Sequence, residues 1–104
     1  MTDGPIVLNV RIEAVVGRAE DLARELRALL APTRNEAGCL AYELYRDPDN
    51  PGSFMFHEKF ANQAGLDLHV NTPHFKRLQS YREQDDPVAQ QIVTRWQSVD
   101  QVSF

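Results

Sequence analysis

The sequence predicts an α+β chain in which helices cover one face of a four-stranded antiparallel sheet. Three observations lead there. The chain opens on a two-residue alternation of apolar and polar side chains. A stripe with helical spacing follows. Two further strand-like runs then flank a turn-rich hexapeptide, and the helix-then-strand order repeats after them.

In residues 6–13, Ile6, Leu8, Val10 and Ile12 alternate with Val7, Asn9, Arg11 and Glu13, which is the period of a strand. Gly17 breaks the pattern. Ala19, Leu22, Ala23, Leu26, Leu29 and Leu30 then recur at the spacing of an amphipathic helix. Glu20 and Asp21 fall in its first turn, where the helix dipole favours negative charge. Pro32 is expected to kink or loosen the last turns, and Gly38 to end them. Residues 39–46 and 53–60 read as the second and third strands, joined as a hairpin through Asp47-Pro48-Asp49-Asn50-Pro51-Gly52. Asn62 can cap a short helix carrying Leu66, Leu68 and Val70. Thr72 followed by Pro73 supplies an N-cap and a first helical position for another helix, expected to bury Phe75, Leu78 and Tyr81. From Val88 onward, Ile92, Val93, Trp96, Val99 and Val102 read as a final strand. The order strand, helix, strand, strand, helix, strand is the split-βαβ, ferredoxin-like arrangement.

The chain has 104 residues, the length of one domain, so residues 1–104 are expected to form a single unit. Lys plus Arg number 11 against 15 Asp plus Glu, for a net charge of −4. That balance lacks the basic surplus that grips nucleic acid or anionic lipid. The single cysteine, Cys39, excludes an intrachain disulfide and any site needing several thiolates. The first residues, Met-Thr-Asp-Gly-Pro, lack a basic stretch followed by a long apolar run, and no window approaches the ~20 apolar residues of a membrane span. A cytoplasmic protein is expected.

The strand faces imply a partner. Phe54, Phe56, Glu58 and Phe60 point one way, and Met55 and His57 the other; Leu40, Tyr42 and Leu44 oppose Cys39, Ala41 and Tyr45; Ile92 and Trp96 oppose Val93 and Val99. Both faces of the sheet are therefore apolar in part, while the helices suffice for one. A second copy of the chain, sheet against sheet, is the expected cover, giving a homodimer.

Candidate chemistry is sparse. His69 and His74 are five residues apart and straddle Thr72-Pro73, so they do not share a helix face, and no metal site is expected. No glycine-rich loop suggests a nucleotide cofactor. Cys39 reads as a small buried residue. Glu58 shares its face with three phenylalanines, where desolvation disfavours its charge. His69 is its expected partner, and a histidine oriented by a carboxylate is a usable general base. The same pair also fits a plain buried polar contact. His74, in the first turn of its helix, is expected at the surface, and His57 and Asn9 towards the dimer face.

His69-Val70-Asn71-Thr72-Pro73-His74-Phe75-Lys76 resembles the H-x-x-T-P-H-[FY]-K signature of the antibiotic biosynthesis monooxygenase (ABM) superfamily. Pro32 and Arg34 ahead of Gly38-Cys39-Leu40, then Tyr42, the Asp47-Pro48 turn and Glu58 two residues before an aromatic match the family's layout, over about residues 6–100. The resemblance implies a dimeric α+β barrel of two ferredoxin-like protomers. It implies oxidation of a small aromatic or quinol-type substrate by dioxygen without metal, flavin or haem. It makes His69 and Glu58 the base and its partner, and Tyr45, Phe56, Phe60 and Leu66 the cavity lining. Phe60 stands where tryptophan is usual. The Asn–Trp–His set of haem-degrading relatives has Asn9 as its only candidate here, since the helix positions hold His69 and Gln79. Autoinducer-2 breakdown isomerases share the same stretch, so isomerisation of a small phosphorylated hydroxy-diketone, with Lys76 and Arg77 as possible phosphate donors, is an alternative. A non-enzymatic, stress-responsive ligand-binding dimer is another.

Overall fold

The computed structural model describes residues 4–100. The elements run β1 (Ile6–Ala14), α1 (Ala19–Arg27), α2 (Leu30–Arg34), β2 (Cys39–Asp47), β3 (Asn50–Phe60), α3 (Gln63–His69), α4 (Pro73–Gln84) and β4 (Val88–Gln97). The sheet order is β2-β3-β1-β4, with every neighbouring pair antiparallel. This is the expected ferredoxin-like arrangement. Val102 of the expected last strand lies outside the described residues.

The inner face of the sheet carries Val10, Ile12, Tyr42, Phe54 and Phe56, which pack under the stripe of Leu22, Ala23 and Leu26 on α1 and Leu29 just beyond it. The stripe is the one legible in the sequence, and its burial is what holds α1 to the sheet. The expected single helix is two. Pro32 lies in the first turn of α2, where its missing N–H costs nothing, but its ring excludes a helical carbonyl four residues earlier, at Ala28, and Ala28 is where α1 ends. Gly17 turns β1 into α1 with a φ of +84°, a backbone conformation that side chains disfavour. The hairpin is tighter than the hexapeptide suggested: Asp47 already pairs with Asn50. Asp47 and Asn50 side chains accept from the backbone N–H groups of Asp49 (2.8 Å) and Gly52 (3.3 Å).

One parity expectation fails. The β2–β3 register shifts between Cys39 and Ala41. Such a bulge sets two residues against one, so the side chains on either side of it change face. Cys39 packs against the core with Tyr42 and Leu44, and Leu40 is exposed. Both helix caps are as expected: Asn62 Oδ1 accepts from Gly65 N at 2.9 Å, and Thr72 Oγ1 from Phe75 N at 3.3 Å.

The start of β2 and the first turn of α3 meet at Gly38 and Gly65. A Cβ on Gly38 would lie 2.7 Å from Gly65 Cα, inside the backbone of the helix. Gly38→Ala is therefore expected to push α3 off the sheet and to cost about 1–3 kcal/mol of stability, the usual range for overpacking. Chemical denaturation against the wild type measures it; an unchanged midpoint would show that the crossing tolerates a methyl group.

Candidate active site

Beneath α3 and α4 the inner face of the sheet does not close. A cavity of about 570 Å³ lies between Leu8, Val10 and Phe56 on the sheet side and Leu66, Phe75 and Leu78 on the helix side. Phe75 and Leu78, expected in the core, are half-buried because they face this space. Three titratable side chains line it deep down: Tyr42 from β2, Glu58 from β3 and His69 from the end of α3, 3 %, 5 % and 2 % exposed.

The structure brings His69 and Glu58 to one cavity but does not pair them. The carboxylate on His69 is Glu36, in the turn between α2 and β2. His69 Nδ1 lies 3.1 and 3.0 Å from its two oxygens. His74 Nε2 reaches the same carboxylate at 2.5 Å. His74 is thus not a free surface residue: the turn at Thr72 folds the start of α4 back so that its ring lies 6.3 Å from that of His69. Phe60 at 5.0 Å, Phe75 at 5.1 Å and Tyr42 at 5.6 Å complete the walls around His69.

This arrangement orients the imidazole. With Nδ1–H donated to Glu36, the basic lone pair belongs to Nε2, which makes no hydrogen bond among the described residues. Glu58 makes none either. Burial pushes its carboxyl up to about 7, and the nearby Glu36 carboxylate adds to the rise. Burial likewise holds the Tyr42 phenol far above its ordinary range, so it stays neutral. Burial raises the Cys39 thiol as well, with Glu36 contributing, which makes it a poor nucleophile.

Glu36, His69 and His74 supply a ligand set that suits zinc or iron in kind. Their spacing is that of hydrogen bonds. The three ligand atoms lie within 4.8 Å of one another, so the turn at Thr72 gathers a metal-type set despite the helix break between the two histidines, and in this structure hydrogen bonds join them.

Of the residues expected to line the cavity, Phe56 and Leu66 do so. Tyr45 lies on the outer face, half-exposed, over a second hollow that also holds Asn9. Phe60 is fully buried behind His69 rather than open to the cavity. Asn9 and His69 are on opposite faces, so the haem-type set cannot assemble around one ligand. Lys76 and Arg77 do not line the cavity, and Arg77 pairs with Glu25 at 3.2 Å. Sequence reasoning missed Glu36 because it sits in a connecting turn, outside every periodic segment.

A model of the family described as antibiotic biosynthesis monooxygenase matches residues 5–81. The solved structure of PA3566 from Pseudomonas aeruginosa superposes with a TM-score of 0.87 at 36% identity, covering 95% of this chain and 98% of that one. Rv0793 from Mycobacterium tuberculosis superposes with a TM-score of 0.84 at 26% identity, covering 96% and 100%. The uncharacterized protein sll1783 of Synechocystis sp. is 36% identical over 73 residues, which is 70% of this chain and 50% of that protein. The chain spans about half the length of the first curated relatives it matches. Among the described residues no helix is long and apolar enough to cross a membrane.

Proposed function

Since this chain belongs to the antibiotic biosynthesis monooxygenase family, we propose that it oxidises a small phenol or quinol with dioxygen, using no metal, flavin or haem. The observation that carries this reading is the cavity itself: a space, apolar in its depth, lined by one buried histidine with its Nδ1 fixed and by the buried carboxyl of Glu58, which burial pushes up to about 7.

The chemistry needs little more. A phenol bound over Leu8 and Phe56 gives its proton to His69 Nε2. The phenolate is electron-rich enough to reduce dioxygen, which enters the apolar cavity readily. Glu58 can donate to or accept from a second ring hydroxyl. In the overall conversion the ring gains one oxygen atom and loses two hydrogens, the other oxygen leaves as water, and all four electrons come from the substrate. No external reductant is consumed. Orientation and desolvation are the protein's contribution.

The test is a panel of hydroquinones and anthrones incubated with and without oxygen. Oxygen-dependent turnover above the uncatalysed rate supports the reading. Turnover independent of oxygen would replace it with isomerisation, and binding without turnover with a ligand-carrying dimer.

The active unit is a homodimer joined through the outer face of the sheet. Among the described residues no helix covers that face, and Tyr45 (50 %), Ile92 (49 %) and Trp96 (59 %) stand exposed on it. Trp96→Glu is expected to weaken self-association by about tenfold or more, as charging an exposed aromatic of the interface does. Sedimentation velocity reads it, and a dimer unaffected by the change would move the interface elsewhere.

A further inference from the structure

The cavity has a polar mouth on the side of β4, the edge strand. Two side-chain bridges cross it. Arg82 of α4 donates to Gln91 Oε1 at 2.7 Å, and Arg95 of β4 donates to Gln63 Oε1 at 2.6 Å. The two guanidiniums differ in their counter-charges. Arg82 is clamped by Asp86 at 3.1 and 3.3 Å. Arg95 is placed by the Gln63 amide, whose Nε2 in turn donates to Asp67 at 2.8 Å, and it forms no direct ion pair among the described residues, so its charge is oriented by a bridge and not clamped by a carboxylate.

Register fixes where that charge lies. Leu8 pairs with Glu58 on one side and with Arg95 on the other. All three therefore project from the inner face, and all three line the cavity. Two interstrand spacings put the Glu58 and Arg95 backbones about 10 Å apart. The floor thus reads, in line, as a buried carboxyl, an apolar side chain, then a guanidinium with no direct ion pair among the described residues. That pattern is complementary to a molecule with a hydroxyl at one end, a ring in the middle and an anionic group at the other. The outer face, with Trp96, is on the opposite side, so a partner docked there leaves Arg95 open.

Building on the functional reading above, we propose that Arg95 selects the substrate, by binding a carboxylate or phosphate group carried by an otherwise apolar ring. A guanidinium meets either group with paired N–H donors. It replaces Lys76 and Arg77 as the cationic subsite.

Calorimetric titration under argon with unreactive probes tests this: 2-naphthoate, 2-naphthyl phosphate and the neutral naphthalene-2-carboxamide. The wild type is expected to favour at least one anion over the amide by about tenfold, the scale of one charge-assisted hydrogen-bonded pair. Whichever anion binds tighter identifies the group. Arg95→Gln is expected to bring the anion-to-amide ratio near one, and Arg95→Lys to restore part of it, with melting temperatures close to wild type. No anion preference in the wild type, or a preference that survives Arg95→Gln, would overturn the proposal. Binding is measured without oxygen, so the subsite can fail while oxygen-dependent turnover stands, and the reverse.

Discussion

His69→Gln is expected to lower oxygen-dependent turnover by about 10²–10⁴-fold, the contribution of a positioned general base. Glutamine keeps most of the side-chain volume among Phe60, Tyr42 and Phe75, whereas alanine would open a void costing about 2–4 kcal/mol in its own right. The comparison that separates chemistry from packing is Glu36→Gln. Glu36 reaches the substrate only through His69 and His74, so it is a positioning residue. Its amide retains an acceptor for one ring but gives up the charge that both rings share. Turnover is expected to fall about tenfold or more, a fraction of what the base supplies, with KM little changed and Glu36→Asp recovering part of the loss. A KM effect of the same size, with kcat intact, would instead mark Glu36 as part of the wall. Turnover unaffected by His69→Gln would remove the histidine from the mechanism.

What was legible in the sequence follows from what periodicity can carry. The β1 alternation and the helical stripe are set by burial on one face; the alternation appears as read, and the stripe is buried as read although Leu29 and Leu30 fall beyond the end of α1. Asn62 and Thr72-Pro73 are local signals, satisfied within three residues, and they too hold. Glu58 was legible as a desolvated carboxyl because its face is fixed by three phenylalanines on the same strand. The failures lie where local pattern is silent. The bulge at the start of β2 depends on pairing with a distant strand, so Cys39 and Leu40 exchange faces. Glu36 occupies a turn whose direction comes from the Gly38–Gly65 crossing, a contact between segments nearly thirty residues apart. His74 looked separate from His69 because five residues and a helix break intervene, yet that break is what turns the chain back and stacks them on one carboxylate. Tyr45 is a different case: strand parity against Tyr42 places it on the outer face, as the structure has it, and the lining role that the resemblance implied is what fails.

Glu58→Gln is expected to make the protein more stable and less active, and the pH dependence should show why. The Glu58 carboxyl is raised from 4.5 to about 7, first by burial and then by Glu36. The folded state therefore holds this proton more tightly than the unfolded chain does. Its contribution is fully present below pH 4.5 and is lost as pH rises through about 7, after which the buried charge is a standing cost. At about 1.4 kcal/mol per pH unit, that rise corresponds to about 3 kcal/mol. Denaturation curves should give nearly equal stability for wild type and Glu58→Gln near pH 4.5, with the variant ahead by about 3 kcal/mol at pH 8. Taking the difference between the two cancels every group that the two proteins share. A carboxylate held by an ion pair would give the opposite sign, losing stability as pH falls. Parallel curves would mean that Glu58 titrates as an ordinary exposed acid and that the cavity is open to water at that depth. The expected divergence describes a group that the fold tolerates at a cost and that serves the ligand: an unpaired carboxyl is kept in an apolar cavity when glutamine would be steadier. The same variant should then lose turnover with hydroquinones, where a second hydroxyl needs a group able to give or take a proton, and lose less with simple phenols.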